Sequence, residues 1–371
     1  MKLLSVFVTA IIVFTSVSFL EAAERVKVAA IFSKTGKAAL GNLPALNGIR
    51  FAVKEINQQG GLLGKQLELI EFDNHSTAIG SKLAAKKAVK ANVIIVFGAL
   101  WSSHSLAMAP ILQAARIPMI SPASTNPQIT LVGDYIFRTC FVDPFQGKIL
   151  AKFAFQDLKL KTAGVLINAD SQYSEGLAQY FIKQFKSQRG KILFKEHYLE
   201  QAVDFSSIIH NIKKFQPEIL FLPGHNKDSG HIIKQTRNSK IFTPFIGGDG
   251  WSNDMYNIAG NIIEGNFYSL HWHPDKDDEK SRQFVDAYKK YSPEFDDRDA
   301  LSYDTVSLFA DAVNRAASFD PVQIRNALAL TKNFQGVTGE ISFDKNGDPI
   351  KSAVILEYHK GSSIYVKTVL P

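Results

Sequence analysis

Small hydroxyl side chains follow two apolar stretches that are typical of buried strands. One pair comes after residues 93–97 and the other after residues 118–120; the four residues are Ser102, Ser105, Ser121 and Thr125. Hydroxyl groups beside the free N–H groups at a helix start form a site for a carboxylate or phosphate. Each residue alone is better explained as a helix cap. Two neighbouring strand ends with the same feature favour an anion-binding pocket, because ligands of open parallel sheets bind at the carboxyl ends of strands.

An acidic residue stands between two glycines after a later apolar run. Asp249 follows residues 244–247 in the sequence Gly248-Asp249-Gly250, where its carboxylate would suit a cationic group; a simple turn aspartate is an equally good explanation. Tyr173 begins another helix after the apolar run 163–167. The two halves therefore offer an anion site and a cation site, an arrangement that suits a zwitterion such as a free amino acid.

The spacing of reactive residues argues against an enzyme. A catalytic triad could use Ser102, His104 or His225, and Asp249, but no G-x-S-x-G motif exists and the spacing matches no known order. Gly60 to Lys65 lacks the spacing and the final hydroxyl of a phosphate-binding loop. A hydrolase that uses Ser102 or Asp249 is kept as an alternative, although we expect neither enzymatic activity nor a cofactor.

Two segments contain residue types that could bind a metal ion, but a structural role without a metal is favoured for both. His271 and His273, with Asp275 nearby, could place two imidazoles on one face of a strand, but we expect exposed or capping histidines here. Residues 344–348 lack the glycine position and distal glutamate of a calcium loop, so a hairpin turn is expected. The acidic stretch 275–299 is expected to be a solvated helical face. We predict no metal site.

Alternating apolar runs and helical stripes predict the elements that carry these residues. Strands are expected to start near Val26, Leu67, Val93, Pro118, Ala163, Ile192, Glu218 and Pro244, with helices between them. Strand and helix in regular alternation indicate parallel βαβ units, here in two similar halves. Residues from 281 onward become helical, and the tail alternates like antiparallel strands. The sequence thus predicts two α/β lobes with doubly wound parallel sheets.

The bulk composition is that of an ordinary folded protein with an export signal. The chain has 371 residues, a net charge of +7 and one cysteine, Cys140, which excludes a disulfide framework. The basic residues do not cluster, so nucleic-acid binding is not expected. Met1 to Ala23 has a charged start, an apolar middle and a small-residue exit, and it predicts a signal peptide cleaved after about Ala22 or Ala23. A retained membrane anchor is the less favoured alternative, and no stable membrane insertion is expected.

Several segments resemble one family in this order and spacing. They are Gly60-Gly-Leu-Leu-Gly-Lys-Gln-Leu-Glu-Leu, Ile120-Ser-Pro-Ala-Ser-Thr-Asn-Pro, Tyr135-Ile-Phe-Arg-Thr, Phe145-Gln-Gly-Lys, Tyr173-Ser-Glu-Gly-Leu-Ala, Gly247-Gly-Asp-Gly-Trp and Tyr303-Asp-Thr-Val. The chain resembles the exported solute-binding proteins of ATP-driven (ABC) importers, specifically the leucine/isoleucine/valine-binding group with the type I periplasmic binding fold. The resemblance runs from about Val26 to the C-terminus. It implies three hinge crossings, near Phe141, His271 and Lys351.

The resemblance also implies domain boundaries, partners and residue roles. Residues 1–23 would be the signal peptide, 24–141 plus 272–350 lobe one, and 142–271 plus 351–371 lobe two. Ser102 and Thr125, with Ala123 beside them, match the positions that hold a ligand's α-carboxylate; Asp249 matches the position that takes the α-ammonium, and Tyr173 the aromatic residue that closes over the ligand. A permease and its ATPase subunits would be the partners of a monomeric periplasmic protein.

The sequence departs from the family pattern at the side-chain pocket. Trp101 stands where the family usually has a much smaller residue, and His225 and Leu40 stand at positions where a tyrosine is common. Amino-acid recognition is therefore expected, with the preferred side chain left open. A ligand-sensing protein that reports another small carboxylate or amide to a receptor is the alternative that uses the same cleft.

Overall fold

The fold is taken from a computed structural model that describes residues 25–275 and 278–371, so the expected signal peptide lies outside the described residues. Within those two ranges, no helix combines the length and the apolar composition needed to cross a bilayer.

The first sheet is entirely parallel and has the strand order β2-β1-β3-β4-β5. Its strands are β1 Arg25–Phe32, β2 Gln66–Asp73, β3 Val96–Gly98, β4 Met119–Ser121 and β5 Ile136–Arg138. The helices between them are α1 Ala39–Gln58, α2 Ala78–Lys90 and α3 Ser102–Ala115. Strand β1 is buried along most of its length because helices cover both faces of the sheet, which explains its nearly continuous apolar sequence.

The second sheet has seven strands in the order β14-β13-β10-β9-β8-β6-β7. The strands are β6 Thr162–Asn168, β7 Lys191–Tyr198, β8 Ile219–Phe221, β9 Phe245–Gly247, β10 Phe267–Leu270, β13 Ala353–His359 and β14 Ser362–Val369. Its helices are α4 Asp143–Lys152, α5 Gln172–Ser187, α6 Ser206–Phe215, α7 Asn226–Asn238 and α8 Met255–Ala259. Strands β6 to β10 are parallel, and β13 and β14 add antiparallel to the edge.

The two cores interleave along the chain. Helices α9 Glu279–Tyr288, α10 Asp297–Ala316 and α11 Pro321–Ala329 precede a small hairpin, β11 Phe334–Gly336 and β12 Gly339–Ile341. Their apolar residues pack with those of α1 and the first sheet. We call the first sheet with its helices lobe one and the second sheet with its helices lobe two. The chain passes between them after β5, after β10 and before β13.

The structure differs from the sequence predictions at the start of β3 and in the acidic stretch, and it adds two strands that the sequence did not predict, β5 and β10. Strand β3 begins at Val96 rather than near Val93, although a hydrogen bond from Ala29 N to Ile95 O continues its pairing with β1. The prediction of a solvated acidic face over 275–299 is wrong for Asp297 and Asp299, which are buried. Asp299 caps the start of α10 by accepting from the backbone N–H of Asp296, and it also accepts from the Tyr288 hydroxyl.

The hairpin turn and the lone cysteine are as expected. The turn over 344–348 closes through a hydrogen bond from Asp344 N to Asp348 O. Cys140 is fully buried, and burial raises the pKa of its thiol. It therefore acts as a small apolar side chain between the lobes rather than as a reactive group.

Candidate functional site

On the lobe-one wall of the cleft, most of the hydroxyl groups form hydrogen bonds within the lobe, and one does not. Ser105 and Ser121 hold the chain that leaves β3, because Ala99 N donates to Ser105 Oγ at 3.1 Å and Ser121 Oγ donates to Ala99 O at 2.7 Å. Ser102, in the first turn of α3, accepts from Asn126 N at 3.2 Å. Thr125 Oγ1 is fully buried and makes no hydrogen bond of good geometry with the described residues, although the Asp143 carboxyl lies close enough to interact with it. An unsatisfied buried hydroxyl is costly, so Thr125 is ready for an added acceptor.

Aromatic rings meet across the cleft. Trp101 precedes α3 in lobe one and His225 precedes α7 in lobe two; their ring centroids are 4.3 Å apart in a stacked arrangement. His104 stacks on the Trp101 indole at 5.4 Å, and Tyr173 lies 5.6 Å from His225. Burial lowers the pKa of His104 to about 4, so this ring is neutral at physiological pH. The rings of His104, Trp101, His225 and Tyr173 form a continuous row of contacts from lobe one to lobe two.

The loop that carries Asp249 is built around a close backbone approach. A Cβ at Gly248 would lie 2.3 Å from the Tyr173 hydroxyl oxygen, so glycine is required for Tyr173 to pack against this loop. The Tyr173 hydroxyl accepts a hydrogen bond from Gly250 N at 3.2 Å. Burial and the nearby Asp249 carboxylate both raise the pKa of Tyr173, which is therefore a neutral phenol. Tyr173 thus lies against both the carboxylate loop and His225.

Two side chains that sequence analysis did not assign to the site orient Asp249. Gln146 Nε2 donates to Asp249 Oδ1 at 2.8 Å and to Ser269 Oγ at 2.9 Å. His271 Nε2 lies 3.0 Å from Asp249 Oδ2. The Asp249 side chain is only 6% exposed. The three residues are widely separated in sequence, and only the fold brings them together.

A second carboxyl group, Asp143, lies in the same region. It is fully buried at the start of α4, and neither of its oxygens has a hydrogen-bond partner of good geometry in the described chain. Burial raises the pKa of Asp143 to about 8, the neighbouring Thr125 hydroxyl opposes that shift, and the Asp249 carboxylate adds to it. Asp143 N donates to Thr125 O at 3.0 Å, and Gln146, one turn later in α4, donates to Asp249 Oδ1 at 2.8 Å, so the first turn of α4 connects Thr125 with Asp249.

Polar contacts join the lobes around this region. Asn126 Nδ2 donates to Gln172 O at 2.9 Å, and Lys37 forms an ion pair with Glu200. Arg298 Nη2 in lobe one lies 3.0 Å from Asp254 Oδ2 in lobe two. Together with the stacked rings of Trp101 and His225, these contacts describe a closed cleft.

Three further residues named in the sequence analysis, Ala123, Leu40 and His273, lie in different parts of the structure. Ala123 is half-buried against the core of lobe one, between Ser121 and Thr125. Leu40 is 86% exposed and contributes nothing to the cleft in this conformation. His273 faces Asp275 at 3.5 Å while His271 faces Asp249. Over residues 25–275 and 278–371, no group of three or more side chains is arranged to hold a metal ion.

Two α/β lobes with an acidic and a hydroxyl-lined wall facing one cleft define a bilobal small-molecule-binding protein. The sequence matches the periplasmic binding protein family over residues 25–362, and the chain belongs to that family. The family and the relatives below are solute-binding proteins.

Three relatives illustrate the similarity. The leucine-specific-binding protein of Salmonella typhimurium is 30% identical over 334 residues, which cover 88% of each chain. The crystal structure of a leucine-binding protein from Thermotoga maritima superposes with a TM-score of 0.90 at 32% identity, covering 93% of this chain and 99% of the other. A branched-chain amino acid transporter substrate-binding protein from Streptococcus pneumoniae, solved with isoleucine, gives a TM-score of 0.88 at 29% identity, covering 94% and 100%.

Proposed function

We propose that this protein is the substrate-binding component of an ABC importer and captures a free α-amino acid in the cleft. Thr125 and Ser102, with Ala123 beside them, receive the α-carboxylate, and Asp249 receives the α-ammonium group. Tyr173 closes over the ligand from lobe two, and Trp101 and His225 limit the space for its side chain. A leucine- or isoleucine-like ligand agrees with what the relatives are named for.

The observation that carries the proposal is the pairing of two unlike groups from different lobes. Thr125 in lobe one offers a buried hydroxyl without a partner, and Asp249 in lobe two offers a buried carboxylate. A zwitterion that contacts both favours the closed arrangement by its additional contacts there, which couples binding to hinge closure. Charge-assisted hydrogen bonds of this kind contribute about 1.5–3 kcal/mol each.

The rest of the function follows from this cleft and from the family. The mature protein is monomeric in the periplasm after cleavage near Ala22 or Ala23. Its lobes consist of residues 24–141 plus 272–350 and of residues 142–271 plus 351–371. The closed form delivers the amino acid to a membrane permease energised by its ATPase subunits. The ligand is released unchanged, so no turnover of an amide or ester is expected.

Binding of L-leucine and its truncated analogues tests the assignment. Calorimetry should detect L-leucine but neither 4-methylpentanoate, which lacks the ammonium group, nor 3-methylbutylamine, which lacks the carboxylate. Asp249→Asn keeps the side-chain volume and should abolish or severely weaken leucine binding, whereas Asp157→Asn on the surface of lobe two should not. If Asp249→Asn binds leucine with unchanged affinity, Asp249 is not the ammonium site. If no amino acid in a full panel binds the wild type, the function itself is wrong.

A further inference from the structure

A buried histidine lies directly behind the carboxylate of the ammonium site. His271 follows β10, at the passage from lobe two to lobe one, and is 2% exposed. Its ring packs on Phe141, with centroids 3.8 Å apart, and Phe141 belongs to the first passage between the lobes. Its Nε2 lies 3.0 Å from Asp249 Oδ2. The histidine therefore connects the carboxylate to two of the segments at which the lobes hinge.

The hydrogen-bond geometry determines how the protons are arranged in the ligand-free site. A carboxylate only accepts, so His271 Nε2 must carry the proton that faces Asp249. His271 Nδ1 is buried and has no partner among the described residues. A neutral ring leaves a bare lone pair there, whereas a protonated ring would leave a buried N–H donor unsatisfied. The geometry therefore favours the neutral ring.

Gln146 completes this arrangement on the other carboxylate oxygen. Its amide nitrogen must face Asp249 Oδ1 for the same reason, and its Oε1 is buried without a partner in the described chain. Two neutral donors thus hold Asp249 and leave its negative charge uncompensated. A protonated His271 would supply a competing positive charge in contact with the same carboxylate.

We propose that His271 is a positioning residue that sets the charge available for the ligand: neutral, it orients Asp249, and protonated, it competes with the ligand's ammonium group. This inference rests on the proposed function of Asp249. It makes ligand binding and protonation of His271 mutually antagonistic, so affinity should fall as the pH falls, and below the pKa of His271 a bound ligand should displace its proton.

The surroundings of His271 support a neutral ring near pH 7. Burial lowers the pKa of His271, the Asp249 carboxylate opposes that shift, and the Lys351 ammonium group at the third passage adds to it. Asp297 at the start of α10 faces the backbone N–H of His271 and is itself held above its usual pKa by burial. Because the pKa of His271 is lowered, the loss of affinity should begin at a pH below the ordinary histidine value of about 6.5.

The pH dependence of leucine binding tests this role. Calorimetry with L-leucine from pH 7 downward should show the wild-type affinity weakening, by up to tenfold per pH unit once the pH is below the pKa of His271, as expected for one linked proton. His271→Gln places an amide near the position of Nε2 and cannot be protonated; whatever its affinity at pH 7, the ratio of its leucine affinities at pH 7 and at lower pH should be close to one. His231→Gln, on an exposed face of α7, is the matched control and should behave as the wild type.

Other results of these measurements would overturn the proposal. A pH dependence that persists in His271→Gln and disappears in His225→Gln would assign the titration to the cleft wall and overturn the proposal. Leucine binding by the wild type that is independent of pH would also overturn it, while leaving the proposed function intact. If His271→Gln does not fold, NMR titration of the wild-type imidazole replaces it. Saturating L-leucine should lower the pKa of His271, and an unchanged midpoint contradicts the proposal.

Discussion

The indole of Trp101 and the imidazole of His225 stack across the cleft with their ring centroids 4.3 Å apart. One ring belongs to each lobe, and both precede helices whose first turns face the cleft. The stack therefore contributes to closure and also occupies space near the proposed ligand. A bulky ligand side chain has to displace this pair or lie beside it, which makes the stack the main candidate for a determinant of ligand size.

Replacing Trp101 with alanine should change ligand selectivity. The space left by the indole should admit larger side chains, and one methylene group in such a pocket is worth about 1–3 kcal/mol. We expect the affinity ratio of L-leucine to L-alanine to rise by about tenfold, measured by calorimetry across an amino-acid panel. Leu40→Ala, at an exposed position, is the control. An unchanged ratio in Trp101→Ala would mean that the indole is not a wall of the pocket.

Replacing Thr125 with valine should weaken binding without disturbing the fold. Valine keeps the shape but removes the unpartnered hydroxyl, so the ligand carboxylate loses one hydrogen bond worth about 1.5–3 kcal/mol. L-Leucine affinity should therefore fall by about tenfold to a hundredfold. Thr125→Ser should retain most of the affinity.

The matched control for Thr125 is another buried hydroxyl of the same wall. Ser105 is bonded to Ala99 and Ser124 within lobe one, so Ser105→Ala should lower the melting temperature and leave leucine affinity unchanged. Equal loss of affinity in both variants would indicate a general disturbance of the wall rather than a role for the Thr125 hydroxyl.

Residues that act at strand ends could be found from the sequence, because local patterns determine where they lie. Thr125, Asp249 and Tyr173 each follow an apolar run, and parallel strands place such residues at one edge of a sheet. The sequence does not predict β5 and β10, because each is the last parallel strand before the chain passes to the other lobe and neither continues the strand–helix alternation. The equally short strands β3, β4, β8 and β9 lie within that alternation.

The supporting residues could not be found in that way, because long-range packing alone brings them to the site. The sequence suggests a possible metal site at His271 because His273 is nearby. In the structure, however, the His271 ring is hydrogen-bonded to Asp249, 22 positions earlier. Asp297 and Asp299 belong to an acidic stretch whose composition suggests exposure. Their burial depends on the partners that surround the start of α10, which the local sequence does not reveal.

The stability of lobe one should depend on pH through Glu71. Arg50 Nε lies 2.6 Å from Glu71 Oε1, and Lys34 Nζ lies 2.7 Å from Oε2. The hydrogen bond from Arg50, supported by Lys34 and opposed by burial, lowers the pKa of Glu71 to about 2. The unfolded value is about 4.3, so this stabilisation is fully present above that pH and disappears as the pH falls through 2.

Glu71→Gln should therefore destabilise the protein at pH 7 and have a vanishing effect near pH 2. For such partly exposed pairs we expect about 1 kcal/mol, or a fall of roughly 2 °C in melting temperature by calorimetry. Asp311→Asn removes an exposed pair with Arg315 on α10 and should have a smaller effect. A Glu71→Gln effect that is equally large at pH 2 would contradict the ion-pair explanation.

The ion pair between Arg298 and Asp254 should bias the empty protein toward closure. Arg298 Nη1 donates to Gly41 O at 2.9 Å within lobe one, so its guanidinium is held there while Nη2 reaches Asp254 in lobe two. Asp254 is 53% exposed, and such a pair is worth about 0.2–1 kcal/mol.

Asp254→Asn should therefore increase the radius of gyration of the empty protein in small-angle scattering and weaken leucine binding by about twofold to fivefold. Salt should reduce the wild-type affinity more than that of the variant, because screening removes the same attraction. Asp157→Asn breaks another partly exposed pair, with Lys367 inside lobe two, and should alter neither measurement. If both variants expand the empty protein equally, the effect comes from surface charge and not from the contact between the lobes.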